Sequence, residues 1–514
     1  MRLSRPALAL GLAVCLLAAW PLRDGFLRGE VAGAGPDVAV TLWALWWYAQ
    51  EWAGAAAWGS TALVNHPFGA EGTVLAPLST APFIPLRALF GNVMASNLLG
   101  VGVLAGLAGA AAWAARGLGL GRAACAAAAL AMLVGRYPVY GLGEASVVGI
   151  TGIPVLLGLG ALVRGRMGLV ALCAGVVALE YPYLILVLPG LAGLRAVRDR
   201  SWRWLAVALG ALALAWVGTR LVGRGQDAQA FYHHQSQISW LGLKFPVVEE
   251  AKARAAWVDL VRAGEVLWRL TTRPEDAAHG RDYLGLSVLG LALLGGRRAL
   301  PWLLLALLGA ALATGSNWFG FPAPFAWLNL LAQSVVRGLS QPTRFLLLAN
   351  IGLAVAAAVG VERLGKHAWW AVGALLVDAL AFGGLSLRMP TLPIPSASCA
   401  RELEGRQGVL VWPWDARETG DASLQTRYWQ MEHGQPGNTF GVGSWRLGGG
   451  KRALDALRAA GVREGVAIPV EGLLGLQYDT VLLDTGAGAT VPGLGEPSLR
   501  CDGADIYFLE PGAR

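Results

Sequence analysis

Residues 343–388 read TRFLLLANIGLAVAAAVGVERLGKHAWWAVGALLVDALAFGGLSLR. Two apolar runs, near 343–361 and 368–386, are joined by a basic cluster of Arg363, Lys366 and His367. Each run is close to the length that crosses a hydrocarbon core of roughly 30 Å. The same grammar recurs upstream. Apolar runs fall near 7–20, 93–115, 123–135, 146–163, 168–179, 182–194, 204–222, 283–296 and 299–314. Between them, short loops carry Arg116 and Arg122, Arg164 and Arg166, Arg195 to Arg203, or Arg297 and Arg298. Basic residues favour cytoplasmic loops. With all five clusters and the N-terminus inside, eleven spans alternate consistently and the C-terminus lies outside. The runs 168–179 and 182–194 are too short to cross singly, and a broken or re-entrant pair there leaves the parity unchanged.

Composition supports this reading. The 514 residues are 55% hydrophobic and 14% charged, and the mean hydropathy is +0.51. Soluble domains carry about a quarter charged residues, so this chain has too little polar surface to cover itself in water. The 70 Gly and 22 Trp fit close helix packing and interfacial anchoring. The net charge of +8 sits in short clusters between apolar runs, which excludes a nucleic-acid surface. The Ala-, Gly- and Arg-rich, Lys-poor composition points to a GC-rich bacterial genome, and the expected location is a bacterial inner membrane. At the N-terminus, Trp20-Pro21-Leu22-Arg23 offers no small-residue cleavage site, so the first run reads as an uncleaved helix.

The expected class is an α-helical polytopic membrane protein, residues 1–388, followed by a small α/β extracytoplasmic domain, residues 389–514. Residues 21–92 form a first outer loop, in which Leu42, Trp43, Trp46 and Trp47 follow helical spacing and predict an interfacial helix. Residues 223–282 form a second large outer loop. Pro390, Pro393 and Pro395 mark a linker. Beyond it, strands are expected at Val409–Trp412, Tyr478–Leu483 and Ile506–Leu509, and a helix at Lys451–Ala460. Cys15, Cys125 and Cys173 lie in the spans. Cys399 and Cys501 bracket the last domain, and a single pair in an exported domain reads as a disulfide.

The chain has no Walker loop, nucleophile elbow, HExxH or CxxC, so ATP-driven pumping within it is excluded. The informative groups are polar residues beside the outer surface. Asp37, in Gly35-Pro36-Asp37-Val38, can serve as a general base or hold a divalent cation, and the same tripeptide is also ordinary turn chemistry. His66, in Asn65-His66-Pro67, can contact a phosphate or simply cap a turn. Glu144 follows Arg136, Tyr137 and Tyr140 and reads equally as a functional acid or a solvated ion pair. Glu180, in Glu180-Tyr181-Pro182-Tyr183, lies between two short apolar runs, and an acid there is costly unless it faces a polar cavity. Tyr181 and Tyr183 would line that cavity. Arg337 and Arg344 run against the positive-inside bias and are suited to gripping a phosphate. Adjacent His233 and His234 do not make a metal site.

Taken in order, these residues resemble the GT-C superfamily of polytopic membrane glycosyltransferases, in a bacterial branch with a C-terminal extracytoplasmic domain. Asp37 followed by Leu42-Trp43-Ala44-Leu45-Trp46-Trp47 is similar to that branch's acidic residue and Trp-rich helix. His66-Pro67-Phe68-Gly69-Ala70 is similar to its Tyr-Pro-x-Gly turn, with His in place of Tyr. Tyr283-Leu284-Gly285-Leu286 opens a span, and Pro322-Ala323-Pro324 through Arg337 to Pro342-Thr343-Arg344-Phe345 is similar to its Pro-rich loop and Arg-Phe element. Gln425, Gln430, His433-Gly434 and Asn438 also match. Two departures are Glu144, where members carry His after Gly, and Gln341-Pro342 in place of Arg-x-Pro.

The resemblance implies an outward-facing transferase that takes a sugar from a polyprenyl-phosphate donor. The acceptor would be a cell-envelope glycan, lipid or protein. Asp37, at the matching position, would be the general base or a metal-associated carboxylate, with no cofactor beyond a divalent cation; Glu144, which departs from the family pattern, is a second candidate catalytic acid on its own surroundings alone. Two other classes stay open: a non-catalytic scaffold of the same fold, and a flippase of lipid-linked glycans, against which the spans show no inverted repeat.

Overall fold

The structure is a computed structural model that describes residues 5–33, 36–54, 60–61, 63, 70–71, 76–143, 148–180, 184–222, 237–240, 243–246, 283–314, 317–318, 321–332, 342–393, 400–412, 430–431, 435, 455–462, 467–484, 493–501 and 504–510. Among them the helices are α1 (Arg5–Ala19), α2 (Arg23–Arg28), α3 (Pro36–Trp52), α4 (Pro77–Gly117), α5 (Arg122–Val134), α6 (Arg136–Gly143), α7 (Val148–Val163), α8 (Met167–Glu180), α9 (Val187–Asp199), α10 (Trp202–Val222), α11 (Leu286–Leu294), α12 (Gly296–Ala313), α13 (Pro324–Ala332), α14 (Leu346–Arg363), α15 (Ala368–Ala381) and α16 (Val470–Gly475).

A helix lies at each of the eleven stretches read as spans. Four segments among the described residues are both long and apolar enough to cross a membrane alone: Pro77–Gly117, Gly296–Ala313, Thr343–Arg363 and Gly365–Ser386. The pair α5 and α6, bent by 52°, makes a fifth if it is one span. Helices α7, α8 and α10 are apolar but shorter. Helix α4 begins at Pro77, inside the expected first outer loop, and its backbone breaks next to the expected boundary between that loop and the span at 93–115. Proline fits a helix start, where its missing N–H costs nothing, and the helix breaks only at Gly91, with φ +77° and ψ 173°.

The bundle is built around α14, in which every residue from Leu346 to Val361 is buried. Glycines make this possible. A Cβ at Gly360 would sit 1.8 Å from the Leu291 carbonyl oxygen, and one at Gly352 would sit 2.6 Å from the Ala306 nitrogen. Small residues thus bring α11 and α12 backbone to backbone with α14, where apolar helices have only packing and polar contacts to associate through.

The helix ends sort into two sets. At one end the basic loops meet: the Gly121 N–H donates to Glu362 at 2.8 Å, and Arg363 donates to the Leu294 carbonyl at 3.0 Å. At the other end, Arg136 donates to the Phe382 carbonyl at 2.7 Å, and the Met389 N–H donates to the Pro21 carbonyl at 3.1 Å. The loop after α1 and the chain after α15 therefore share one side, as the alternation requires.

Strand β1 (Val31–Ala32) pairs antiparallel with a strand after α15. Three antiparallel hairpins follow it: β2 (Ser60–Thr61) with β3 (Ala70–Glu71), β4 (Gln237–Trp240) with β5 (Leu243–Pro246), and β6 (Asn317–Trp318) with β7 (Phe321–Pro322). The partner of β1 is β8 (Thr391–Leu392), in the register Val31 to Leu392 and Ala32 to Thr391. The stretch expected to begin a linker is therefore tied down, because its backbone groups find partners in the first loop.

Near the C-terminus, β9 (Val409–Trp412), β10 (Thr480–Asp484), β11 (Leu499–Cys501) and β12 (Ala504–Phe508) form one sheet in the order β11-β12-β10-β9. Strand β9 runs parallel to β10 and the other pairs are antiparallel. Residues 455–459 are helical, within the expected helix. Leu410, Trp412, Leu457, Val462, Leu473, Tyr478 and Val481 form a cluster separate from the bundle core. The short strand β11 carried no sequence signal.

Helix α3 corrects another expectation. An interfacial helix keeps one face wet, yet residues 42–49 are all buried. The Trp43 and Trp47 rings stack at 6.2 Å with 6° between planes. The aromatic residues pack into the main core, so this helix is a structural member of the bundle.

Candidate functional site

Asp37 lies in the first turn of α3, one residue after Pro36. Pro36 opens the helix with φ already set, and an acid in the first turn complements the helix dipole. Its backbone is thus fixed at a helix start. Its side chain lies outside the described residues, as do Glu144, His66, Tyr181, Tyr183, Arg337 and Cys399.

Glu180 is described, and its surroundings differ from expectation. The side chain is buried, but its oxygens face the start of α4. The Leu78 N–H donates to Oε2 at 2.7 Å, and the Ser79 hydroxyl donates to Oε1. The Ala76 N–H also donates to the Leu179 carbonyl at 3.2 Å. Glu180 is an N-cap supplied by a helix about a hundred residues away. Orphan N–H groups and the positive end of the helix dipole provide the compensation that the sequence argument assigned to a cavity.

The far end of α3 reaches this clamp. Burial, with the carboxylates of Glu51 and Glu180 nearby, holds the Tyr48 phenol far above its ordinary range, so it stays protonated. Tyr48 is eleven residues beyond Asp37, about 16 Å along the helix axis at 1.5 Å per residue. Glu180 and Asp37 thus stand at opposite ends of α3 and do not form one constellation.

A second clamp involves Asp378, which the sequence reading passed over. It lies near the end of α15, and it accepts from the Tyr283 hydroxyl, the Ser287 hydroxyl and, at 3.0 Å, the Ser287 N–H. The guanidinium of Arg136 stands 5.5 Å from the Tyr283 ring centroid, and the Arg136 N–H donates to the Tyr283 carbonyl at 3.0 Å. Tyr283-Leu284-Gly285-Leu286 is therefore the anchored start of α11. A single acid inside an apolar run was the available signal.

Arg344 is half-buried in the 3-10 turn Pro342–Phe345 that opens α14. Beside it, the Phe345 ring meets Phe325 of α13 edge-on at 6.0 Å. Gln430 is buried and donates to the Leu63 carbonyl and, at 3.1 Å, to the Gln435 carbonyl. Met431 joins the bundle core. Cys501 is disulfide-bonded, whereas Cys15, Cys125 and Cys173 are free. Among the described residues, no three His, Cys, Asp or Glu side chains gather closely enough to hold a metal.

Among solved structures, one superposes on this architecture over nearly its whole length. ArnT from Cupriavidus metallidurans bound to undecaprenyl phosphate superposes at a TM-score of 0.50 and 13% identity, covering 98% of each chain. At that identity the likeness is one of fold, and it runs the length of both chains. The apo state of the same ArnT gives a TM-score of 0.40 and 14% identity over 97% of each chain. No protein-family profile matches the chain, and no curated protein sequence matches it.

Proposed function

We propose that this chain is a membrane glycosyltransferase that moves a sugar from a polyprenyl-phosphate donor to a cell-envelope acceptor at the outer face of the inner membrane. The observation that carries the reading is the end-to-end likeness of fold to an ArnT bound to undecaprenyl phosphate. Asp37 supports it, because it stands at the start of a buried helix on the side shared by the first loop and the chain after α15. We take that side as the outer one, since the basic loops gather at the opposite end and a disulfide at Cys501 suits an oxidising compartment. Cys399 is its proposed partner.

In this reading Asp37 accepts the proton of an acceptor hydroxyl as its oxygen bonds to the anomeric carbon. The bond from that carbon to the phosphate oxygen breaks, and polyprenyl phosphate departs with the electron pair. Arg337 and Arg344 are the proposed phosphate contacts, Glu144 a second acid, and His66, Tyr181 and Tyr183 substrate contacts. Glu180 keeps a binding role only in so far as it holds the start of α4 in place.

The test is transfer from a polyprenyl-phosphate sugar in reconstituted vesicles. Asp37→Asn is expected to lower the rate by roughly 10²-fold or more, the contribution of a general base, with the unfolding midpoint unchanged. Undiminished transfer by this variant would remove Asp37 from the chemistry.

A further inference from the structure

The chain that leaves the last bundle helix is laced to the loop that leads into α3. Arg388 donates to both carboxylate oxygens of Asp24, through Nε to one and through Nη2 at 3.2 Å to the other. The Gly33 N–H donates to the Pro390 carbonyl at 2.8 Å, and the Thr391 hydroxyl donates to Glu30. From α4, Asn97 closes the lacing on the inner side. Its Oδ1 accepts from the Ala32 N–H at 2.9 Å, and its Nδ2 donates to the Glu30 carbonyl at 2.9 Å. Three segments far apart in sequence therefore meet in one seam.

The seam ends just before the candidate catalytic position. Only residues 34 and 35 separate Gly33 from Pro36, so Pro36 lies within about 11 Å of the seam, three Cα steps of 3.8 Å. The two are also neighbours in space, because Ala32 and Asn97 of the seam line the same cavity as Val38 and Thr41 of α3. The seam and the first turn of α3 are thus adjacent both along the chain and in space.

Energy alone does not account for the Asp24–Arg388 pair. The Arg388 side chain is 65% exposed and that of Asp24 12%, and ion pairs open to water contribute little to stability. What the pair supplies is geometry, since a two-point guanidinium fork on a carboxylate fixes direction as well as distance.

We infer that Arg388, through Asp24 and the β1–β8 pairing, is a positioning residue that holds the backbone at Asp37 in place for sugar transfer. This rests on the proposed function, and it makes the chain entering the C-terminal region part of the catalytic apparatus.

The experiment uses the full chain in vesicles and compares Arg388→Ala, Arg388→Lys and the charge swap Asp24→Arg with Arg388→Asp. Misplacement near 1 Å can cost about a hundredfold in rate. Arg388→Ala should therefore lower kcat roughly ten- to a hundredfold, with the donor KM within about twofold. Lys should restore part of the rate, and the swap more. In parallel, hydrogen exchange over residues 36–45 should quicken in Arg388→Ala while the rest of α3 keeps its protection. An unchanged kcat, a change confined to KM, or a rate that falls only with the unfolding midpoint and is not recovered by the swap would overturn the inference. If the wild-type chain transfers no sugar, the proposed function fails. The exchange measurement then still decides the seam, and unaltered exchange over 36–45 rejects it.

Discussion

Glu180 and Asp378 do the same work at two places in the bundle, and they differ in what they receive. Each is a buried carboxylate at the end of one apolar helix, and each caps the start of another. The helices they cap, α4 and α11, have no side-chain cap of their own, and each follows a residue with positive φ. Before α4 that residue is Ala76 at φ +36°, and before α11 it is Gly285 at φ +94°. The donors to Glu180, the Leu78 and Ser79 N–H groups and the Ser79 hydroxyl, all lie in the first turn of α4, whereas Asp378 adds to the Ser287 pair the Tyr283 hydroxyl from before α11. A buried acid in an apolar helix is thus not by itself a mark of a substrate cavity. Here it is the means by which one helix starts against the end of another.

The comparison can be broken most directly by truncation. Asp378→Ala leaves the Tyr283 and Ser287 donors without their acceptor, and Glu180→Ala leaves the first turn of α4 uncapped; each should cost about 2–4 kcal/mol. Denaturant unfolding in detergent measures both, and a loss below about 1 kcal/mol at either site would mean that the carboxylate there does not hold the helix start.

The residues before the helices should respond with opposite signs. Gly285→Ala forces a Cβ onto a backbone at φ +94°, 2.5 Å from Val134 Cγ1, and should destabilise by about 2–3 kcal/mol. Ala76→Gly relieves a left-handed alanine and should gain up to about 1 kcal/mol. A loss at position 76 would mean that the Ala76 methyl packs in a way that outweighs its strain.

A third carboxylate extends the comparison to a more open site and a smaller effect. The Arg388 hydrogen bond and charge, with Arg23 and Arg28 adding to them, hold Asp24 below the usual carboxylate range. A depressed folded-state pKa stabilises above the unfolded value of about 3.9 and is lost as pH falls through the folded value. The difference in unfolding midpoint between wild type and Asp24→Asn should therefore hold constant from neutral pH to about pH 4 and shrink below that. A difference that persists at lower pH would mean that Asp24 acts through shape and not through charge.

Parts of this molecule were legible residue by residue. The apolar runs and their basic punctuation located a helix at each stretch, and the alternation of loop charge agrees with the contacts of Glu362 and Arg363 at one end and Met389 at the other. Val409–Trp412 and the run around Val481 read as strands because β-branched and apolar residues cluster there. The first turn of α3 was readable from Gly35-Pro36-Asp37. Leu42 to Ala49 misled, because an aromatic helix with polar neighbours has the same pattern whether lipid or protein covers it. Asp378 was passed over because the residues it binds lie 91–95 positions away, and no local pattern points to them.

Sequence alone therefore determined which segments leave water, since transfer into an apolar phase is a property of each run's own side chains. It also determined where a charge would be costly, at Glu180. Tertiary structure decided what answers that cost. The partners of Glu180, Asp378 and Asp24 lie 101, 95 and 364 residues away, and hydrogen bonds of that kind exist only once packing has brought two helix ends within about 3 Å. It also decided that residues 389–392 are a seam and not a linker, because a two-residue strand carries no preference strong enough to act without the edge it pairs with.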